Sequence, residues 1–288
     1  MHMHIGADTS IPKFSRRSVT VSNRYGLSDD EIRGATPSVF AEEAHDSRSA
    51  RYTYIPTSHV LTGLRKEGFV PYEVSQGGCR TEGKEDFTKH MMRLRRADAP
   101  LIAGASRELI LLNSHDGTSA YKLMSGYFRF VCKNGLICGD EIGVFKVPHK
   151  GNIVQQVIDA AYQVVEDGAK VDGSVRRMDA IELSVPEQEA FATAALALRF
   201  PEDREIDIDG ARVNRVRRTE DVGSSLWMTF NRTQENLMRG GIAYTQPSEN
   251  RRGRVNRTTR EVRSIDGNVN LNRALWTLAA AMQEIKTR

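Results

Sequence analysis

Arginine recurs six times within thirteen residues near the C-terminus. RRGRVNRTTREVR, at 251–263, sets Arg251, Arg252, Arg254, Arg257, Arg260 and Arg263 against one acid, Glu261. A guanidinium is planar, permanently charged and forked, so it meets phosphate oxygens two at a time where lysine offers a point charge. Asn256, Thr258, Thr259 and Ser264 interleave neutral hydrogen-bonding groups of the kind that also reach phosphate. Such a run recognises polyanions; it makes and breaks no bonds. Arg239 lies a short way upstream. A second basic set falls in FTKHMMRLRR, at 87–96. Strand alternation there groups Lys89, Arg93 and Arg95 with Met91, and His90 with Met92 and Leu94. An exposed cationic strand face is therefore expected.

The residues that would carry catalysis form no comparable pattern. GxxxxGK[ST], GxGxxG, HExxH, GxSxG and CxxC are all missing. EDFTK and QEIK are the nearest approach to a nuclease carboxylate–lysine cluster, and both are fragments that chance supplies in a chain with 37 acids. His115 and Asp116, in NSHDG, pair an imidazole with a carboxylate, the raw material of acid/base work. The same four residues around His115 also make an ordinary tight turn. His90 reads as a satisfied core histidine. No residue is assigned a catalytic or metal-binding role, and no cofactor is expected.

Cys132 and Cys138 flank Asn134-Gly135, the strongest hairpin signal in the chain. A two-residue loop there would set Lys133 opposite Leu136 and Val131 opposite Cys138, putting the two thiols on opposite faces and excluding a bridge. Three cysteines in all give no disulfide framework, and reduced thiols are expected.

The 288 residues are 39% hydrophobic and 27% charged, the proportions of an ordinary folded protein. No apolar run approaches a membrane span, and the N-terminus lacks a secretory core, so a cytoplasmic protein is expected. Net charge is only +4, but it is unevenly spread. Between Arg212 and Arg263 lie twelve arginines, no lysine and five acids, a local excess of seven that leaves the remainder three net negative.

The elements that must hold these residues are α+β: an antiparallel sheet of about five or six strands in the N-terminal half, followed by a helical C-terminal half. Residues 1–50 read as a poorly patterned arm. Residues 51–288 read as a single α+β domain, sheet-rich over 51–150 and helical over 151–288, with an Arg-rich loop at 241–264. Pro71 argues for an edge position of strand 69–76, and Thr57 or Ser58 is placed to cap a helix ending at Gly68. A helix from 152 should stop at Gly168, with a linker over 168–183. Ser184 and Glu187 form a capping box for the next helix, and Gly240-Gly241 should end the one after.

FTKHMMRLRR, ELILLNSHDGTSAYKLMSGYFRFVCKNGLICGD, LWMTFNRTQENLMRGG and NVNLNRALWTLA resemble the phage/plasmid-like family catalogued as domain of unknown function 932. The resemblance runs from about residue 50 to the C-terminus. It implies a mobile-element setting and brings no activity or site residues with it.

These readings converge on a non-enzymatic nucleic-acid-binding protein of a mobile element, handling single-stranded DNA in recombination or annealing, with a homo-oligomer as one form of it. The contacts would come from Lys89, Arg93, Arg95, Arg239 and the six arginines of 251–263. The alternative is an anti-defence protein that blocks a host protein through the same arginines. A hydrolase built on His115 and Asp116 ranks last.

Overall fold

The computed structural model describes residues 18–43, 54, 56–79, 84–116, 119–129, 134–138, 144–147, 151–200, 207–248 and 253–288. The strands are β1 (Val19–Ser22), β2 (Phe69–Gln76), β3 (His90–Arg96), β4 (Leu101–Ile102), β5 (Ala105–Asn113), β6 (Tyr121–Arg129), β7 (Asn134–Ile137) and β8 (Phe145–Val147). They form one sheet in the order β1-β2-β3-β5-β6-β7, with β4 pairing β5 and β8 pairing β6. The helices are α1 (Asp29–Ala35), α2 (Thr57–Lys66), α3 (Ile153–Ala180), α4 (Val185–Arg199), α5 (Gly210–Val213), α6 (Leu226–Arg239) and α7 (Ile265–Thr287). A separate two-stranded ribbon, β9 (Ala243–Pro247) with β10 (Arg254–Thr258), falls between α6 and α7. The fold class is thus the α+β one, with the large sheet in the N-terminal half and the long helices in the C-terminal half.

The chain divides into two compact units that alternate along it. The first takes Met1–Ala97, Ile110–Leu123 and Phe145–Ala161; the second takes Asp98–Leu109, Met124–Val144 and Tyr162–Arg288.

In the first unit, residues read as a polar arm build real structure. β1 pairs antiparallel with β2, Val19 opposite Gln76 through Ser22 opposite Glu73. α1 follows with a full capping box, the Glu31 carboxylate accepting from the Ser28 N–H at 2.8 Å while the Ser28 hydroxyl accepts from the Glu31 N–H at 3.2 Å. β1 makes β2 an interior strand over Glu73–Gln76, against the edge position expected from Pro71, although Pro71 itself lies beyond that ladder. The proline is tolerated because the pairing with β3 is irregular there, Pro71 facing Leu94 and Glu73 facing Arg93 with Tyr72 bulged between. α2 packs with Gly63 toward α3, where a Cβ would stand 3.0 Å from Ile158 Cδ1. Neither hydroxyl caps α2 as expected: Pro56 is the N-cap, with no side-chain bond.

In the second unit the β6–β7 register corrects the hairpin expectation. Tyr127 faces Leu136 and Arg129 faces Asn134, so Asn134-Gly135 lies on a strand and the connection is 130–133, outside the described residues together with Cys132. That register puts Tyr127 and Leu136, both 0% exposed, into the core together, which outweighs a local turn preference. α3 also runs past its expected stop. A Cβ at Gly168 would lie 3.0 Å from Arg107 Cδ, so this glycine is a notch for the arginine and does not end the helix. Arg107 bridges the notch, donating to the Val165 carbonyl at 3.2 Å and to Asp172 Oδ2 at 2.5 Å. Burial raises the Asp172 carboxyl above its usual range, opposed by Arg107.

α4 begins as the sequence implies. The Glu187 carboxylate accepts from the Ser184 N–H and hydroxyl at 2.7 and 2.8 Å. α6 ends at Gly240 (φ 68°), whose Cβ would meet the Thr259 carbonyl at 2.6 Å. A core of Val175, Phe191, Trp227, Phe230, Leu275 and Trp276 joins α3, α4, α6 and α7.

Candidate nucleic-acid interface

α6 makes the second unit's polar interior. LWMTFNRTQENLMR is buried over all but two of its positions, polar ones included. Such a helix is stable only if its side chains are paired. Arg232 donates to Asn214 Oδ1, the Asp221 and Gly223 carbonyls and Gln188 Oε1, at 2.7–3.0 Å. Asn236 Nδ2 donates to the Val213 and Arg215 carbonyls at 2.7 and 2.9 Å, and its Oδ1 accepts from Arg217 Nε at 2.5 Å. Glu235 takes Arg218 in a fork at 2.6 and 3.0 Å. Asp221, 1% exposed, pairs with Arg129 and also with Arg218 at 2.9 Å. Several of the arginines counted toward the C-terminal charge excess therefore belong to this scaffold. Arg239 joins it too, its Nη1 at 3.3 Å from Glu235.

The 241–264 segment, expected as a loop, is a hairpin in its described part. β9 and β10 pair Arg254 with Pro247, Asn256 with Thr245 and Arg257 with Tyr244. Gly253, at φ 114°, occupies a backbone region that other residues rarely adopt, and its carbonyl accepts from the Ser248 N–H at 3.0 Å to close the ribbon. The base is fixed by four bonds at 2.8–3.1 Å: Gly241 N–H to the Thr259 carbonyl, Thr259 N–H to the Ile242 carbonyl, Ile242 N–H to Thr259 Oγ1, and Val262 N–H to the Met238 carbonyl.

Arg254, Arg257, Arg260 and Arg263 are all exposed on this anchored segment. Their directions differ. Alternation puts Arg254 with Asn256 and Thr258 on one face of the ribbon and Arg257 with Val255 on the other. Arg254 is held down, its guanidinium donating to Thr245 Oγ1 and the Thr245 carbonyl, both at 3.0 Å. Arg263 pairs with Glu261 at 2.9 Å. The guanidinium groups of Arg257 and Arg260 engage no other group among the described residues. Arg251 and Arg252 lie outside those residues.

Beside the ribbon is a cavity of about 380 Å³, lined by Asp207, Arg212 and Arg215 and by Ile242–Thr245 and Asn256. Arg212 and Arg215, both exposed, were not singled out from sequence. Their signal was local: Asp209 caps α5 by accepting from the Arg212 N–H at 2.7 Å, which fixes the start of the basic stretch. Asp207 Oδ2 accepts from Thr245 Oγ1 at 3.2 Å and so ties this wall to the ribbon.

The basic face expected on strand 87–96 is corrected. Arg93 and Arg95 are 2% and 7% exposed. Arg93 faces Glu73 across the strand pair, Nε to Oε1 at 3.3 Å, and Arg95 lies 4.0 Å over the Tyr72 ring. Lys89 is half-buried, with its carbonyl accepting from the Gly77 N–H at 2.7 Å. Both faces of β3 are covered, so alternation alone could not say which one meets water.

His90 and His115 belong to a buried relay in the first unit. Ser38 Oγ donates to Gln76 Oε1 at 2.8 Å, so it accepts from His90 Nδ1–H at 2.9 Å. His90 Nε2 is then bare and accepts the Thr57 hydroxyl proton at 2.9 Å. Thr57 Oγ1 in turn accepts from Asn113 Nδ2 at 3.0 Å and from His115 Nε2–H at 3.1 Å. The chain of donors has one direction, from His115 through Thr57, His90 and Ser38 to Gln76. Burial, then the neighbouring His115, drives the His90 imidazole from its ordinary 6.5 down to about 3. His115 is 0% exposed, which leaves no accessible acid/base pair at NSHDG.

A family model, described as a domain of unknown function (DUF932), matches residues 44–276. The chain belongs to the DUF932 family. Two relatives from Escherichia coli (strain K12) are similar to it over nearly their whole lengths. UPF0380 protein YafZ is 45% identical over 256 residues, 89% of this chain and 91% of the relative. UPF0380 protein YfjQ is 44% identical over 257 residues, with the same coverage of each chain. No solved structure matches the chain. The DUF932 match takes in the whole ribbon, the cavity wall and α6, while β1 and α1 precede it. No helix among the described residues is long and apolar enough to cross a membrane.

Proposed function

We propose that this DUF932 protein binds single-stranded nucleic acid through its phosphate backbone, at the β9–β10 ribbon and the adjoining arginines, without enzymatic chemistry. The observation that carries this reading is the anchored, exposed ribbon bearing Arg254, Arg257, Arg260 and Arg263, with Arg212 and Arg215 beside it. Among the described residues these cations have only surface partners, Thr245 for Arg254, Glu261 for Arg263 and Asp209 with the Asp207 carbonyl for Arg212, while the buried carboxylates Asp221 and Glu235 serve Arg129, Arg218 and Arg239. Guanidinium groups on both faces of a narrow ribbon suit a flexible strand that can wrap it, and suit a flat duplex face poorly. The mobile-element setting implied by the resemblance fits DNA as the partner.

Fluorescence anisotropy of a labelled single-stranded oligonucleotide, titrated between about 50 and 200 mM salt, tests the reading. Binding should weaken with log salt at a slope of about −3 if four phosphates are neutralised on a single strand. Absence of binding at about 50 mM salt would overturn it.

A further inference from the structure

The cavity beside the ribbon shares Arg212 and Arg215 with the backbone-binding surface, but its other lining residues have no part in that reading, and it opens where a bound strand would lie. We infer that it takes one unpaired nucleobase of that strand, and that guanine fits it best; this rests on the ribbon being the strand's binding surface. Three features point to a base. The volume, about 380 Å³, is enough for a purine ring. Ile242 and Ala243 give it an apolar wall, while Arg212 and Arg215 bring guanidinium planes, on which bases stack as they do on aromatic rings. The remaining lining groups, Asp207, Thr245 and Asn256, are hydrogen-bonding and sit together: Thr245 bonds Asp207 Oδ2 at 3.2 Å and is the direct cross-strand partner of Asn256.

That trio sets the choice of base. Thr245 occupies Asp207 Oδ2 and leaves the rest of the carboxylate as acceptor, with no hydrogen to give. Guanine is the base whose Watson–Crick edge presents two adjacent donors, N1–H and the N2 amino group, beside an acceptor, O6. The carboxylate answers the donors, and the Asn256 amide supplies a donor for O6. Adenine and cytosine each place a ring acceptor nitrogen next to their amino group, which would face the carboxylate without a proton between them. Thymine offers a single N–H between two carbonyls. A base stacked inside a helix cannot enter, so the cavity also selects single strands over duplex.

The test compares labelled dT oligonucleotides carrying one central dG, dA, dC or abasic position, by anisotropy at fixed low salt. The dG strand should bind about tenfold more tightly than the abasic strand, and in Asp207→Asn the ratio of dG to abasic affinity should fall to about one, whatever the loss of the acidic charge does to both strands alike. Asp207 is exposed, so the variant should fold; thermal unfolding checks this. Equal binding of all the strands would overturn the cavity assignment and leave ribbon binding standing. A preference for dA or dC would overturn the guanine assignment. Failure of every strand to bind would overturn the ribbon reading, and the cavity assignment with it.

Discussion

His90 and His115 direct their Nε2 atoms at one oxygen, Thr57 Oγ1, from 2.9 and 3.1 Å. The hydroxyl has a single proton, so at most one imidazole accepts there; it is His90, whose own proton sits on Nδ1 toward Ser38 and the Thr88 carbonyl, and His115 donates. Protonating His90 Nε2 would put a hydrogen on both sides of that contact. The unfolded chain takes up this proton near the ordinary 6.5, while the folded protein resists it to about 3. The folded pKa is depressed, so the unfolded state binds more protons between those values and stability falls as pH drops through that window. Urea unfolding at a series of pH values should show this loss, and His90→Gln should flatten it. An unchanged pH profile in the variant would remove His90 as its source.

Thr57→Val keeps the shape and removes the shared hydroxyl. His90 Nε2 loses its donor and Asn113 Nδ2 its acceptor, both in residues that are 0% exposed. Stranding buried polar groups costs about 1–3 kcal/mol each, so a loss of about 3 kcal/mol is expected in chemical denaturation.

Asp221→Ala should be more severe than any change on the ribbon. It leaves Arg129, 3% exposed, without its carboxylate. Breaking a buried pair on one side typically costs about 3–5 kcal/mol. Arg218 has Glu235 to fall back on, so the damage should centre on Arg129. Comparison of the midpoint of unfolding with that of Arg129→Met would show whether the stranded charge is responsible: the methionine variant should be the more stable.

Arg257→Ala with Arg260→Ala should do the reverse, sparing the fold and weakening binding. Both guanidinium groups are exposed and engage no other group among the described residues. Loss of two phosphate contacts should reduce the salt slope by about 1.4 on a single strand, evenly across sequences. Thermal unfolding should stay where it was.

What could be seen in the sequence was governed by how local its cause is. The Ser184–Glu187 box and the Gly240 stop act within a few residues, and both stand as expected. Gly168 looked like the same kind of stop, but its reason is Arg107, some sixty positions earlier. Arg93 and Arg95 followed the strand period correctly and were still assigned to solvent wrongly, because the groups that cover them, Glu73 and Tyr72, come from another strand. The arginine run was legible as chemistry. Its ribbon form and the Arg212–Arg215 wall were not, since pairing of 243–247 with 254–258 and closure of the cavity are tertiary events. The polar motif on α6 drew attention as a family mark; its burial makes it the frame that fixes Arg215, Arg217 and Gly240 around the candidate surface.

Each unit is assembled from three separated stretches of chain. No single cleavage or truncation can therefore liberate either one whole. A gene broken at the transition from strands to helices would encode two incomplete bodies, so recombination among relatives must exchange the whole reading frame or preserve both partners of every crossing.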